Sequence, residues 1–347
     1  MDFTSTIKVQ ANFHQMLTWF LSKKSVYVER EEPWNIPVFS QNISHSYKTL
    51  PIISDNLKET TIKLSQLIVE EYKQGDRGYI EPIARLRAYI ERHLKGYLCD
   101  FLVHGSFATL DYSVGWSDLD TLVVIKDKTL NDPCALVEFR KKIIDAHDYL
   151  MQLDPHQHHG FIFCTEFGLS QYFSHFIPLE VISRSKSLIS DGEITLKHDR
   201  RTEAAILSFK EKNVLLYSAY QKKILLHHKY NNEYLHENFE NINAMYQLKY
   251  FLSLVMTLPA YYLDAKGDSC YKKESFEIVR EQFQNEWGIV ERASKIRVDW
   301  PSRESHPYVI NTIPNWVMES LGPDYFFHAY KLSSKMMMSL MVDEKCL

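Results

Sequence analysis

The chain has few cysteines, and their spacing suits neither a disulfide framework nor a redox pair. There are five among 347 residues, an odd number, and no two form a Cys-x-x-Cys pair. Small secreted domains instead carry an even, closely spaced set of cysteines. The sequence therefore predicts reduced thiols in a cytosolic setting. The five residues are Cys99, Cys134, Cys164, Cys270 and Cys346.

Several widespread enzyme motifs are also absent. The chain contains no P-loop lysine sequence and no Gly-x-Gly-x-x-Gly, which argues against a P-loop NTPase and against a Rossmann enzyme. It contains no Gly-x-Ser-x-Gly elbow, which argues against a hydrolase built on that motif. Other residues must therefore carry the chemistry.

Long apolar runs and basic clusters are missing as well. The most apolar stretch, 250–263, is too short to span a bilayer, and the N-terminus lacks the basic-then-apolar pattern of a signal peptide. The net charge is −4 with dispersed lysines and arginines, whereas strong non-specific nucleic-acid binding normally shows as a basic patch. We expect a soluble, cytoplasmic protein with no membrane partner and no strong nucleic-acid signal.

The most informative feature that is present is a pair of aspartates one residue apart. Asp118 and Asp120 stand at the beginning of the apolar run Thr121-Leu122-Val123-Val124-Ile125, which predicts a strand. Side chains two apart on a strand point to the same face, so the two carboxylates converge. Hard oxygen ligands of this kind suit Mg²⁺ or Mn²⁺, ions that commonly hold nucleotide phosphates.

A glycine-serine pair lies a short distance upstream. The apolar segment 98–103 predicts a buried strand, which ends at His104-Gly105-Ser106. Glycine lets the backbone approach a phosphate closely, and the exposed amides and the serine hydroxyl are donors. A strand, a Gly-Ser turn, a short helix and an Asp-x-Asp strand form a composite signal that is more specific than any one part.

This arrangement resembles the polymerase-β-like nucleotidyltransferase superfamily, and within it the bacterial two-domain enzymes related to aminoglycoside nucleotidyltransferases. The match consists of Gly105 and Ser106, eleven intervening residues, then Asp118-Leu119-Asp120. The resemblance implies that a nucleoside monophosphate is transferred from a nucleoside triphosphate such as ATP to an acceptor, with release of pyrophosphate. It also implies Mg²⁺ (or Mn²⁺) on Asp118 and Asp120, with Gly105 and Ser106 on the β- and γ-phosphates.

The superfamily usually uses a third carboxylate on a neighbouring strand, and two residues are candidates. Glu180 lies in Ile177-Pro178-Leu179-Glu180-Val181-Ile182, which predicts a strand. Glu166 lies near the end of another predicted strand, 159–166. We favour Glu180 as a catalytic and metal-binding residue, because an unpaired carboxylate within an apolar run is costly to bury.

Two departures and one further basic element qualify the resemblance. Many relatives carry an arginine shortly after the Gly-Ser, whereas this chain has Phe107-Ala108-Thr109. In the enzymes it resembles, a basic residue of the helical domain commonly reaches the triphosphate, and Lys273 is our candidate for that role. Thr121 replaces the usual apolar residue after the second aspartate, which a strand tolerates.

A histidine cluster, His156, His158 and His159, offers another possible site. Its spacing matches no usual zinc pattern. The alternative interpretation is that His159, just before Gly160, contacts nucleotide.

The predicted fold class is α+β: a small mixed sheet with helices, a mostly α-helical C-terminal domain and an N-terminal helical extension. The length allows two or three domains. We place the helical extension at 1–78, the nucleotidyltransferase catalytic domain at 79–195 and the helical substrate- and nucleotide-closing domain at 200–345. Within the extension, Ser54-Asp55 is expected to cap a helix that carries Leu64, Leu67, Ile68 and Tyr72 on one face.

Other elements follow from periodicity and from helix-start residues. A helix is expected to begin near Pro82 and end at Gly96, a second to run from Asp132-Pro133 to Gln152, and strands to occupy 159–166 and 177–183.

The sequence supports one principal function and two alternatives. The principal one is a Mg²⁺-dependent nucleotidyltransferase that modifies a hydroxyl of a small-molecule acceptor. The first alternative is a non-catalytic or regulatory nucleotide-binding protein of the same fold, motivated by the uncertain third acid and the missing arginine. The second alternative is a nucleotidyltransferase that acts on protein or RNA, and the acidic net charge speaks weakly against RNA.

Overall fold

The computed structural model describes residues 3–23, 34–54, 57–153, 160–173, 177–199, 202–227, 233–236, 244–304 and 313–344. These fall into two compact units, each assembled from more than one segment. The first unit comprises Met1–Tyr112, Ser117–Phe173 and Ile182–Asp199, and the second comprises Ser113–Trp116, Ser174–Val181 and Arg200–Leu347. Helices and one mixed sheet together make the protein an α+β protein, as predicted.

The described helices, numbered in chain order, are α1 (Phe3–Phe20), α2 (Ile36–Lys48), α3 (Arg77–Tyr89), α4 (Gly105–Ala108), α5 (Asp127–Asn131), α6 (Pro133–Leu153), α7 (Glu166–Ser170), α8 (Leu179–Ser183), α9 (Thr202–Lys222), α10 (Ala244–Ala265), α11 (Lys272–Arg280), α12 (Gly288–Arg303), α13 (Asn315–Leu321) and α14 (Tyr325–Glu344). A π-helical turn, Ile90–Leu94, extends α3.

The described strands are β1 (Lys58–Gln66), β2 (Leu98–Val103), β3 (Thr121–Ile125), β4 (Ile162–Thr165), β5 (Tyr172–Phe173), β6 (Lys186–Ser187), β7 (Gly192–Asp199), β8 (Ile224–His227) and β9 (Glu233–His236). Strands β1 to β7 form one sheet in the order β4-β3-β2-β6-β1-β7-β5, and β8 and β9 form an antiparallel pair. Strand β3 runs antiparallel to β2 and parallel to β4.

One face of the sheet is the centre of the first unit's core. The side chains on this face are fully or almost fully buried, and they pack with apolar residues of α3 and α6 in one cluster. Members of this face are Phe101, Val103, Val123, Ile125 and Phe163. Because side chains alternate along a strand, Leu122 and Val124 point to the opposite face.

The prediction of a helix over the segment that contains Leu64 is wrong. Residues 58–66 form β1, which pairs with β7 from Lys58 to Leu64 and with β6 at its end. Ile62 and Leu64 are buried and alternate with exposed residues, which is the period of a strand. The β-branched Thr60 and Thr61 also favour a strand. Part of the predicted helical extension, 1–78, therefore belongs to the sheet.

The predicted strand at 177–183 is also wrong, because the chain forms the short helix α8 there. The strand next to β2 comes slightly later, as β6. The helix predicted to begin near Pro82 begins at Arg77 and keeps the proline in its second turn. The apolar residues that repeat along it and its π-helical extension are buried: Ile83, Leu86, Ile90 and Leu94.

The second unit is mostly helical, as predicted. Helices α9 to α14 bury one large apolar cluster around Phe251, Tyr262 and Trp300. The two-stranded ribbon of β8 and β9 is the described exception to the helical pattern. None of the described helices combines the length and apolarity needed to cross a membrane.

Candidate functional site

The Gly-Ser turn directly follows β2. His104 is still extended, and Gly105 then adopts a left-handed conformation with φ of +66° before the one-turn helix α4. Only glycine enters this conformation without a steric cost. The chain turns sharply at Gly105, so that Ser106 lies in α4 at the C-terminal end of β2.

The turn and the aspartate pair meet at this edge. The His104 backbone N–H donates to the Asp120 carbonyl at 2.9 Å, which extends the antiparallel pairing of Val103 with Thr121. A Cβ atom added to Gly105 would lie 2.2 Å from Oδ2 of Asp120. The Asp120 carboxylate therefore packs directly against the glycine backbone, and the two halves of the sequence motif form one site.

Both aspartates lie just before β3, which begins at Thr121. They therefore precede the strand and are not its first residues. Leu119 between them is 1% exposed and belongs to the first unit's core, whereas Asp118 and Asp120 are half-buried. This alternation is the one that places both carboxylates on the same side of the chain. The pair therefore fits a hard divalent cation, whose preferred ligands are carboxylate oxygens.

Four aromatic residues pack around the Gly-Ser turn and the segment that follows it: Tyr72, Tyr79, Phe107 and Tyr112. The ring of Phe107 stacks on Tyr112 at 5.2 Å and lies 6.2 Å from Tyr79. The Tyr72 hydroxyl donates to the Phe107 carbonyl at 2.7 Å, and the Tyr79 hydroxyl donates to the Ser117 carbonyl at 2.9 Å. Tyr79 thus holds the residue immediately before Asp118. The sequence prediction missed this support, because its members lie in three separate segments.

Tyr72 and Tyr112 stay protonated donors at neutral pH. Burial, together with the hydrogen bond to Asp76, raises the pKa of Tyr112 to about 12. Burial also raises the pKa of Tyr72. Because a neutral phenol keeps its proton, the hydrogen bond from Tyr72 that supports the turn does not titrate in the physiological range.

Glu166 lies at the other end of the sheet from the aspartates. It follows β4, whose last residue, Thr165, pairs with Ile125 at the end of β3. Asp120 precedes β3, so the five residues of that strand, about 16 Å, separate the two positions. The Glu166 Oε2 atom instead accepts the N–H of Asp127 at 2.5 Å. The structure therefore does not bring Glu166 to the aspartate pair.

The strand beside β2 carries a lysine and a serine where it adjoins the site. Lys186 pairs with Val103, and its ammonium forms an ion pair with Glu71. Ser187 donates to Oδ1 of Asp100 at 2.6 Å. Within the described residues, no group of three or more histidine, cysteine, aspartate or glutamate side chains is arranged to hold a metal ion.

Asp100 is an acid that the sequence prediction overlooked. It lies in β2 among apolar residues, and burial raises the pKa of its carboxyl while the hydrogen bonds from Ser187 and Phe101 lower it. It pairs with Val124 of β3, and it lies four residues before His104 in the sequence. That offset corresponds to about 13 Å along the strand, so Asp100 does not share a site with Asp120.

The remaining predicted residues lie in the second unit or outside the described residues. Glu180 is in α8 and Lys273 is in the first turn of α11, and both belong to the second unit. Their participation in one site with the aspartates stays a prediction. His156, His158 and His159 lie outside the described residues.

Comparison of the chain with models of protein families, with curated proteins and with solved structures finds no match in any of the three.

Proposed function

We propose that the protein is a Mg²⁺-dependent nucleotidyltransferase, which transfers a nucleoside monophosphate from a nucleoside triphosphate to a hydroxyl of a small-molecule acceptor. The observation that carries the proposal is the packing of the Asp120 carboxylate against Gly105. It places a turn suited to phosphate beside a carboxylate suited to a divalent cation. Neither feature alone is specific, and the geometry supports their combined use.

In this proposal, the first unit binds the triphosphate through its own backbone and side chains. The Ser106 hydroxyl and the amides of the turn donate to the β- and γ-phosphate oxygens. Asp118 and Asp120 hold Mg²⁺, which supplies Lewis-acid neutralisation of the charge that develops on pyrophosphate. The hydrogen bond from Tyr79 to the Ser117 carbonyl keeps the aspartate segment in place.

The transfer itself is an in-line displacement at the α-phosphorus. The acceptor oxygen forms a bond to that phosphorus, the bond from phosphorus to the pyrophosphate oxygen breaks, and pyrophosphate leaves. The hydroxyl proton passes to a general base, for which Glu180 is the proposed residue. Lys273 is proposed to bind the triphosphate from the helical unit.

A non-catalytic nucleotide-binding protein is the second candidate function. It is favoured by the lack of a carboxylate near the pair on two nearby strands: β6, the strand beyond β2, presents Lys186 and Ser187, and Glu166 stands at the far end of β4. A protein with two carboxylates and a phosphate-binding turn would bind a metal–nucleotide complex without turning it over.

Substitution of one aspartate separates these functions when pyrophosphate release is measured. The assay supplies ATP, GTP, CTP or UTP with a panel of hydroxylated small molecules. We expect wild type to release pyrophosphate with one acceptor class and Asp120→Asn to release none. The fold should persist, because removing one carboxylate relieves repulsion between neighbouring charges and holds or raises the stability of the metal-free protein.

The matched control is Asp145→Asn, which makes the same chemical change at an exposed position of α6. It should retain the wild-type rate. Near wild-type transfer by Asp120→Asn would contradict the proposed function. Triphosphate binding without pyrophosphate release under every acceptor would favour the non-catalytic candidate.

A further inference from the structure

The residues between the Gly-Ser turn and the aspartates form a tight turn of their own. The Trp116 N–H donates to the Ser113 carbonyl at 3.0 Å, and Gly115 has a φ of +73° at the third position. A β-turn with positive φ at that position requires glycine or asparagine. The turn presents the Trp116 side chain two residues before Asp118.

These four residues belong to the second unit, although the motif residues on both sides of them belong to the first. Trp116 is 5% exposed and is a member of the second unit's apolar cluster. Its ring lies 4.9 Å from that of Trp300, and the Ser113 hydroxyl donates to the Arg297 carbonyl at 2.7 Å. Arg297 and Trp300 are three residues apart on α12, so one helix face anchors the turn.

The other end of this short segment is held separately. Ser117 is 4% exposed, and its carbonyl accepts the Tyr79 hydroxyl in the first unit. Consecutive residues, Trp116 and Ser117, are therefore fixed in different units, and Asp118 comes next in the chain. Asp118 therefore follows directly after two buried residues whose contacts are made separately, by the indole of Trp116 and by the carbonyl of Ser117.

We infer that Trp116 is a positioning residue for Asp118: burial of its indole fixes the backbone two residues before the Asp118 carboxylate. This inference rests on the proposed function, since it assigns Asp118 to the metal. Residues that orient a metal ligand typically change metal affinity 10- to 100-fold when they are substituted.

The test is Mn²⁺ binding to the full-length chain, measured by electron paramagnetic resonance in the presence of a non-hydrolysable triphosphate. Trp116→Ala should weaken Mn²⁺ binding by about 10- to 100-fold. The matched control is Trp287→Ala, which removes an indole that is 4% exposed in the same apolar cluster and contacts Phe276. It should lower thermal stability to a similar extent and leave the Mn²⁺ affinity unchanged.

If Trp116→Ala does not fold, a second variant, Ser113→Ala, provides the test. Ser113→Ala removes the hydrogen bond to Arg297 without opening a large cavity, and it should weaken Mn²⁺ binding in the same direction by a smaller factor. Equal Mn²⁺ affinity in wild type and in whichever of the two variants folds would overturn the inference alone. Absence of Mn²⁺ binding by wild type would overturn the proposed function and the inference with it.

Discussion

At the scale of single residues, Gly105 has little tolerance for substitution. Its φ of +66° strains any residue that has a side chain, and an added Cβ would meet the Asp120 carboxylate at 2.2 Å. A substitution of Gly105 therefore strains the backbone and also displaces the carboxylate of Asp120, the proposed metal ligand. The loss of stability and the loss of metal binding should therefore appear together.

Gly105→Ala should lower the free energy of unfolding by at least about 1 kcal/mol, since a left-handed conformation costs an alanine roughly that much. It should also weaken Mn²⁺ binding, because Asp120 must move. Urea denaturation and metal titration measure the two effects. The control is Gly96→Ala, where the added methyl group meets nothing within 4 Å and the effect should stay within about 0.5 kcal/mol. Unchanged metal binding in Gly105→Ala would contradict the contact.

His147 provides a prediction about pH. Burial lowers its pKa to about 3, with Lys23 as a further cause, and its ring lies 4.4 Å from Phe161. The unfolded chain takes up a proton near pH 6.5, whereas the folded protein does so only near pH 3. Folding is therefore most favoured above pH 6.5, and this stability is lost as the pH falls through that window, by up to about 1.4 kcal/mol per pH unit.

His147→Gln should remove this part of the pH dependence. The measurement is the free energy of unfolding from urea titrations between pH 5 and pH 8 for both proteins. The difference in slope between wild type and variant isolates the histidine from other groups. An identical slope in the two proteins would contradict the lowered pKa of His147.

At the scale of elements, β1 shows what periodicity can and cannot distinguish. The helix prediction relied on Leu64, Leu67, Ile68 and Tyr72, which also occur at helical spacing. In the structure, Leu64 is a buried residue of β1, and Leu67 is buried just after the strand ends. Ile68 is exposed. The competing signal was the alternation around Ile62. Short apolar runs are open to both interpretations, and long-range pairing with β6 and β7 decides between them.

Thr61→Ala tests the strand directly, because alanine favours a helix and disfavours a strand. Thr61 is exposed on β1 and pairs with Thr195 of β7, with their hydroxyl oxygens 3.1 Å apart. The variant should lose about 0.5–1 kcal/mol of stability. Thr195→Ala should lose a similar amount, and the double variant less than the sum. A gain in stability for Thr61→Ala would contradict the strand.

The prediction of a strand that carries the third carboxylate is also wrong. The sequence predicted that an acid in the apolar run around Glu180 would lie in a strand beside the aspartates, whereas that run forms α8. The acid embedded in a strand is Asp100, which a serine hydroxyl on the neighbouring strand satisfies. Strand pairing depends on contacts far apart in sequence, so no local pattern could have identified that serine.

At the scale of the whole molecule, the sequence predicted the α+β class, a mixed sheet and a helical second half. It predicted the strand, turn and Asp-x-Asp order that the structure brings together at Gly105 and Asp120. It did not predict that the chain enters the second unit for four residues and returns. That excursion depends on where Trp116 packs, and a lone buried tryptophan in a spacer has no local signature.

Asp118 and Asp120 are proposed to form a metal-dependent nucleotide site. Calorimetric titration of Mg²⁺ with a non-hydrolysable triphosphate of each base, on wild type and on the Asp118→Asn/Asp120→Asn variant, tests it most directly. We expect triphosphate binding that requires Mg²⁺ in wild type and vanishes in the folded variant. Equal binding by both proteins, or no binding of any triphosphate to wild type, would contradict it.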